Sequence, residues 1–214
     1  MRSAASACCD SFATVAAVAP SSLARNSACW ILLGSAGCFL ALALAVLLAD
    51  PIPGDAAARL WVLGYASPAV VQAARVVNYL GSWKVLLPGA LLLLVAFPAA
   101  RARWWLWAGL MVAAPIAEGL LKIVIGRTRP EEASMGFPSG HATAAAAFFG
   151  AVIYLAGSLR PPVRVAVRTV SVVLIVLVAL ARIVLRAHWP VDTLAGIALG
   201  LLLASLATML SSRR

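Results

Sequence analysis

Charge is what this chain has least of. Only 11% of its 214 residues are charged, against 64% hydrophobic, and Asp and Glu together number 7. A soluble domain of this length carries roughly a quarter charged residues, so a water-soluble fold is excluded and the chain reads as an integral membrane protein. Histidine is scarcer still, with 2, and cysteine numbers 4. Cys8 and Cys9 lie near the N-terminus, Cys29 and Cys38 in the first apolar run. None stands at a metal-like spacing from a His and nothing indicates a disulfide framework, so all four read as small apolar filler. The net charge of +10 comes without a polybasic tract interleaved with aromatics, which argues against nucleic acid as a partner. The basic residues lie beside apolar runs, where they set topology or meet anionic membrane lipid.

Apolar length is what the chain has in plenty. A spanning helix needs about 20 apolar residues. Residues 28–49, 85–100, 104–125, 142–159, 167–185 and 191–210 are read as six spans. The expected fold class is therefore all-α, a bundle of about six transmembrane helices, because open sheets cannot sit in lipid. Residues 1–27, rich in Ala and Ser without periodicity, read as a cytoplasmic tail, and 28–214 as one membrane domain. A signal peptide is not expected, since Arg25 precedes a segment too long for an h-region. After the first span, Asp50-Pro51-Ile52-Pro53-Gly54-Asp55 is a strong turn signal. Residues 58–80 carry Arg59, Gln72, Arg75 and Asn78 among apolar residues, with Trp61, Tyr65 and Tyr79 suited to headgroup level. That segment reads as amphipathic, lying on the membrane, with a further true span as the alternative. Trp104, Trp105 and Trp107 read as an interfacial belt.

Basic residues in short connections set orientation. Arg25, then Arg101 and Arg103, then Arg160, Arg164 and Arg168, then Arg213 and Arg214 fall on one side, read as cytoplasmic, with both termini inside. Lys122, Arg127, Arg129, Arg182 and Arg186 fall on the other, as do all the loop acids from Asp50 onward.

That outer side gathers three polar groups. Lys122 and Arg129-Pro130 close the third span. Phe137-Pro138-Ser139-Gly140-His141 opens the fourth, with Ser139 at an N-cap position. Arg182 ends the fifth, and His188 and Asp192 stand at the turn into the sixth, where Pro190 suits a first helical position. Ionisable residues at membrane depth cost about 3 kcal/mol each on insertion scales and mark functional sites. The sign of the cluster narrows the chemistry. Lys122, Arg129 and Arg182 would repel a divalent ion, so no metal and no cofactor is expected, and Arg suits phosphate oxygens through its planar fork. Ser139 and the Gly140 N–H, at a helix start, complete an anion cradle. Asp192 is placed to hold one ring nitrogen of His188 and leave the other as nucleophile or base, with His141 available for proton transfer.

Lys122 to Arg129-Pro130, Pro138-Ser139-Gly140-His141, and Arg182 to His188 to Asp192 resemble the three signature motifs of type 2 phosphatidic acid phosphatases (PAP2), the membrane branch of a superfamily shared with vanadium haloperoxidases. The resemblance covers roughly residues 85–210. Ala181 stands where the family usually has Ser, which removes one hydrogen bond and leaves every charged residue in place. The resemblance implies that His188 attacks phosphorus and forms a phosphohistidine, with Asp192 orienting it. Lys122, Arg129, Ser139, Gly140 and Arg182 would hold the phosphate oxygens. His141 would protonate the leaving group and then activate water, without a metal.

The implied activity is hydrolysis of a lipid phosphomonoester or diphosphate at the outer leaflet of an inner membrane. Polyprenyl diphosphate, phosphatidic acid, phosphatidylglycerophosphate and lipid A are candidate substrates, and undecaprenyl diphosphate is favoured on base rate, not on any residue. Transfer of the phosphoryl group to another lipid is a close variant. An intramembrane serine protease, with Ser139 as nucleophile and His188 as base, leaves the three cations without a role, and a non-catalytic lipid-binding scaffold leaves the His and Asp without one. Glu118, one turn from Lys122, is read as a structural partner or a group acting in catalysis. Arg127 and Arg186 are read as meeting lipid headgroups, with the alternative that they extend the basic mouth toward a second phosphate, and Glu131 and Glu132 as capping or solvating their loop.

Overall fold

Nine α-helices make up the structure, a computed structural model that describes residues 22–211, and within those residues there is no strand. In chain order they are α1 (Ser22–Ala49), α2 (Asp55–Leu63), α3 (Pro68–Asn78), α4 (Trp83–Ala96), α5 (Pro98–Ala102), α6 (Trp104–Ile125), α7 (Gly140–Leu155), α8 (Pro161–Val184) and α9 (Pro190–Ser211). Residues 1–21 of the expected tail, with Cys8 and Cys9, lie outside the described residues, as do Arg213, Arg214 and the side chain of Arg25. The first helix already runs at Ser22, ahead of the expected boundary at residue 28. Cys29 and Cys38 are free thiols on it.

Among the described residues, five helices are long and apolar enough to cross a membrane: Asn26–Ala49, Trp104–Ile125, Gly140–Ser158, Pro161–Val184 and Pro190–Ser211. The expected span over 85–100 is interrupted. Its helix, α4, has 14 residues and stops at Ala96, about 21 Å long at 1.5 Å per residue and short of the ~30 Å of a hydrocarbon core. Phe97 is extended, with φ −117° and ψ 108°, because a residue before proline is driven out of the helical region. Pro98 then opens the five-residue α5.

The segment after the first span is bent. α2 and α3 meet at 112°, where the Ser67 hydroxyl accepts the Val70 N–H and Pro68 takes the first helical position. Both ends of the pair reach the same end of the bundle: Asp55 accepts the N–H of Val191 at the start of α9, and Asn78 accepts from Arg182 near the end of α8. A span would separate its ends by the thickness of the bilayer, so α2 and α3 lie across one end of the bundle. Their Trp61, Tyr65 and Tyr79 are exposed there.

The core runs between α7, α9 and α8, with α1 and α6 packed outside. Ala, Gly and Phe make up 10 of the 16 residues of α7, and most of it is buried. Its contact with α9 is set by two glycines one helical turn apart. A Cβ on Gly196 would stand 2.6 Å from the Ser139 carbonyl oxygen, and one on Gly200 would stand 2.4 Å from that of Thr143. Only glycine admits this approach, the small-xxx-small packing of membrane helices. Trp104 and Trp105 are exposed as a belt requires, but Trp107 is buried against Leu110, Ala147 and Ala151 in the core.

Candidate active site

The ends of α1, α6 and α8 and the starts of α7 and α9 meet at one end of the bundle, and α2 and α3 cover it. α6 stops at Gly126, whose φ of 68° is left-handed and whose N–H donates to the Lys122 carbonyl at 2.9 Å. The chain then loops back on itself, with Gly136 N–H on the Arg127 carbonyl at 2.7 Å and Arg129 N–H on that of Ser134 at 3.1 Å. This returns it to Ser139 and the start of α7. Ser139 is at the N-cap, but its hydroxyl caps nothing. Its N–H donates to the Asp192 carbonyl at 2.9 Å, its carbonyl accepts from the Thr143 N–H, and its Oγ is buried without a hydrogen-bond partner. No imidazole is hydrogen-bonded to that hydroxyl, so the Ser–His pair of a serine protease is not formed here.

α8 closes with two bonds in series: Arg186 N–H to the Ile183 carbonyl at 2.9 Å and Ala187 N–H to the Arg182 carbonyl at 3.0 Å. This is the Schellman pattern, and Arg186 takes the left-handed position that glycine usually fills, with φ 59°. The tight ending brings Arg182 and His188 into one neighbourhood. α9 starts two residues later at Pro190, as expected from Pro at a first helical position.

His188 and Asp192 are both buried, and Nδ1 of the ring lies 3.5 Å from Asp192 Oδ2. The carboxylate is held from several directions. Oδ2 accepts the Trp189 N–H at 3.1 Å, the reach-back bond of a capping box. Oδ1 accepts from Arg127 Nη1 at 2.7 Å. Arg127, expected at lipid headgroups, is instead buried between acids: Nη2 donates to Asp55 at 2.7 Å and Nε to Asp50 at 3.0 Å. A guanidinium presents five donors in a rigid fork, which is why one side chain can join three carboxylates.

The three expected phosphate-binding cations come from different elements and each has a polar partner. Lys122 pairs with Glu118 one turn earlier on α6. Glu118 also abuts the start of α7, where a Cβ on Gly140 would stand 2.6 Å from its Oε1. Arg129 Nη1 donates to Glu132 at 2.6 Å and Arg182 Nη1 to Asn78 at 2.8 Å, while Nε of each arginine is buried without a partner. Glu131 joins Arg59 and Arg186, so neither acid merely solvates the loop. Ala181, the departure from the family pattern, is buried with Ala74 and Val184.

Electrostatically the cluster is one unit. His141, at the first turn of α7, feels the charges of Arg182, His188, Lys122 and Arg129. Burial pushes the His188 imidazole below its ordinary value, with Arg182 and Arg129 adding to the shift and Asp192 opposing it. Arg127 is held in its charged form more firmly than usual: burial opposes the charge, and Asp55 and Asp192 outweigh it. Bonds to Arg59 hold Glu131 below the usual carboxylate range, and bonds to Ser134 and Arg129 do the same for Glu132.

All eight residues expected at the site, Lys122, Arg129, Ser139, Gly140, His141, Arg182, His188 and Asp192, lie at this end. Asp50, Asp55 and Asn78 were not foreseen as neighbours of it. Asn78 carried one legible signal, an amide in a segment otherwise suited to a membrane surface.

Comparison with known proteins gives concordant matches. The family model of the PAP2 superfamily matches residues 103–214. Decaprenylphosphoryl-5-phosphoribose phosphatase from two strains of Mycobacterium tuberculosis is 32% identical over 148 residues, covering 62% of this chain and 76% of that one. The crystal structure of a transmembrane PAP2-type phosphatidylglycerolphosphate phosphatase from Bacillus subtilis superposes with a TM-score of 0.74 at 26% identity, covering 83% of this chain and 94% of that one.

Proposed function

Given that this chain belongs to the PAP2 superfamily and is a multi-pass membrane phosphatase of lipid-related substrates, we propose that it hydrolyses a phosphomonoester on a membrane lipid through a phosphohistidine. One observation carries this reading. Cations from three separate elements, Lys122, Arg129 and Arg182, act on His141, two of them also on His188, and the His188 ring is backed by a buried carboxylate at 3.5 Å.

In the proposed reaction Asp192 holds Nδ1 of His188, and Nε2 attacks phosphorus in line. The P–N bond forms as the bond to the lipid oxygen breaks, and His141 gives that oxygen its proton. Water then loses a proton to His141 and attacks phosphorus, the P–N bond breaks, and phosphate leaves. Lys122, Arg129, Arg182, the Ser139 hydroxyl and the Gly140 amide hold the equatorial oxygens throughout. The unpartnered Nε atoms of Arg129 and Arg182 and the unpartnered Ser139 Oγ are donors suited to such an anion. The chemistry assigned to these residues requires no metal.

For the substrate, the relatives weigh more than base rate. They are named for a phosphoribose and a glycerolphosphate head, which favours a phosphomonoester on a hydroxylated lipid head over undecaprenyl diphosphate. We place the site on the outer face of the plasma (inner) membrane, with both termini cytoplasmic, from the distribution of basic residues. The test is phosphate release from a panel of purified lipids in detergent. His188→Ala is expected to abolish turnover while lipid still binds, and EDTA to leave turnover unchanged. Activity lost to EDTA and restored by a divalent metal contradicts the mechanism.

A further inference from the structure

Two of the buried charges described above have no role in the reaction as written, and both converge on Asp192. Arg127 and Asp55 are each 2% exposed at the side chain and Asp192 is not exposed at all. Charges so buried cost several kcal/mol each in desolvation and persist only where the geometry satisfies them. Here it does. Arg127 sends separate N–H groups to Asp192 Oδ1 and Asp55 Oδ2, both at 2.7 Å, and a third to Asp50 at 3.0 Å. Asp55 uses its other oxygen on the Val191 N–H, one residue from Asp192, at 3.1 Å. The same short stretch of α9 is thus held twice from α2, once through its backbone and once through a guanidinium.

We propose that Asp55 and Arg127 are positioning residues, which clamp Asp192 so that its Oδ2 faces His188. This rests on the reaction proposed above. The physical reason is rotational. A carboxylate with one bonded oxygen can swing about its side-chain bonds. With Oδ1 taken by Arg127 and Oδ2 by the Trp189 N–H, the plane is fixed and Oδ2 stands 3.5 Å from Nδ1 of the His188 ring. The arrangement also sets charge. The guanidinium offsets part of the negative charge that would otherwise favour imidazolium, so His188 is kept neutral and nucleophilic.

The charged and titratable groups acting on His188 are Asp192 on α9, Arg182 on α8, Arg129 in the loop after α6, and His141 on α7. Arg127→Gln changes none of these directly. It removes the counter-charge behind one of them, so the ring should titrate at higher pH.

Phosphate release from dioctanoyl phosphatidic acid is measured for wild-type, Arg127→Gln, Arg127→Lys and Asp55→Asn in detergent. The two imidazoles are followed in parallel by 15N NMR, with His141→Asn to assign them. In Arg127→Gln and Asp55→Asn, kcat is expected to fall by about tenfold or more with KM within about twofold, because neither side chain touches substrate. The His188 titration should rise in Arg127→Gln and stay near wild-type in Arg127→Lys, which keeps the charge but cannot reproduce the fork. Unchanged kcat and unchanged titration overturn the proposal. So does a loss of kcat accompanied by a raised KM and a lower melting temperature with the titration unmoved, the signature of a merely structural ion pair. A wild-type chain that releases no phosphate from any lipid sinks the reaction instead, and the titration still decides the clamp.

Discussion

His188 is where local chemistry and solution behaviour meet most directly. Its ring is pushed below its ordinary pKa by burial, with Arg182 and Arg129 adding to the effect. A base with a depressed pKa stays neutral to lower pH, and the nucleophile is lost only when pH falls through that depressed value. The acid limb of kcat/KM is therefore expected below about pH 6.5, the unperturbed histidine value. A pH–rate profile with its acid midpoint above that value contradicts the assignment. Asn78 offers a second test. It accepts from Arg182 Nη1, and bonds to charged groups contribute about 1.5–3 kcal/mol. Asn78→Ala should raise KM by about tenfold with little change in kcat. An unchanged KM would mean that Arg182 is oriented by something else.

Among the elements, α7 and α9 matter most, because their contact sets the distance between the Ser139 loop and Asp192. Alanine at Gly196 or Gly200 would drive a methyl into the carbonyl of Ser139 or Thr143. Overpacking of this kind costs about 1–3 kcal/mol, so both variants should lose thermal stability in detergent and activity together. Gly109 on α6 has nothing within 4 Å of an added Cβ, and Gly109→Ala should be neutral or slightly stabilising. Equal behaviour of all three would refute the packing argument.

At this scale the sequence was most informative where apolar length and cap residues act locally. The five long spans, the turn after the first and Pro190 opening α9 all follow from them. It misled where a short-range breaker interrupts an apolar run, as at Phe97-Pro98, and where apolar composition cannot tell core from belt, as at Trp107. Arg127 was legible as a basic residue at the mouth of the site but not as a buried one. Its partners lie 65, 72 and 77 positions away, and pairing at that distance leaves no periodicity to read.

For the molecule as a whole, the site lies at one end of the bundle, and orientation is a question of which end faces out. Cysteine placed at Glu131, on the site end, should react in intact cells with a membrane-impermeant thiol reagent, in a background lacking the native cysteines. Cysteine at Arg164, on α8 near its opposite end, should react only after the membrane is opened. The reverse pattern would invert the topology.

The residues matched by the family model begin at 103, yet two of the three acids paired with Arg127 stand at positions 50 and 55. The motif-bearing half is therefore not an interchangeable module. A chimera joining residues 103–214 to the first third of a relative without an acid at the Asp55 position would carry a guanidinium stripped of a partner, at a cost of about 3–5 kcal/mol.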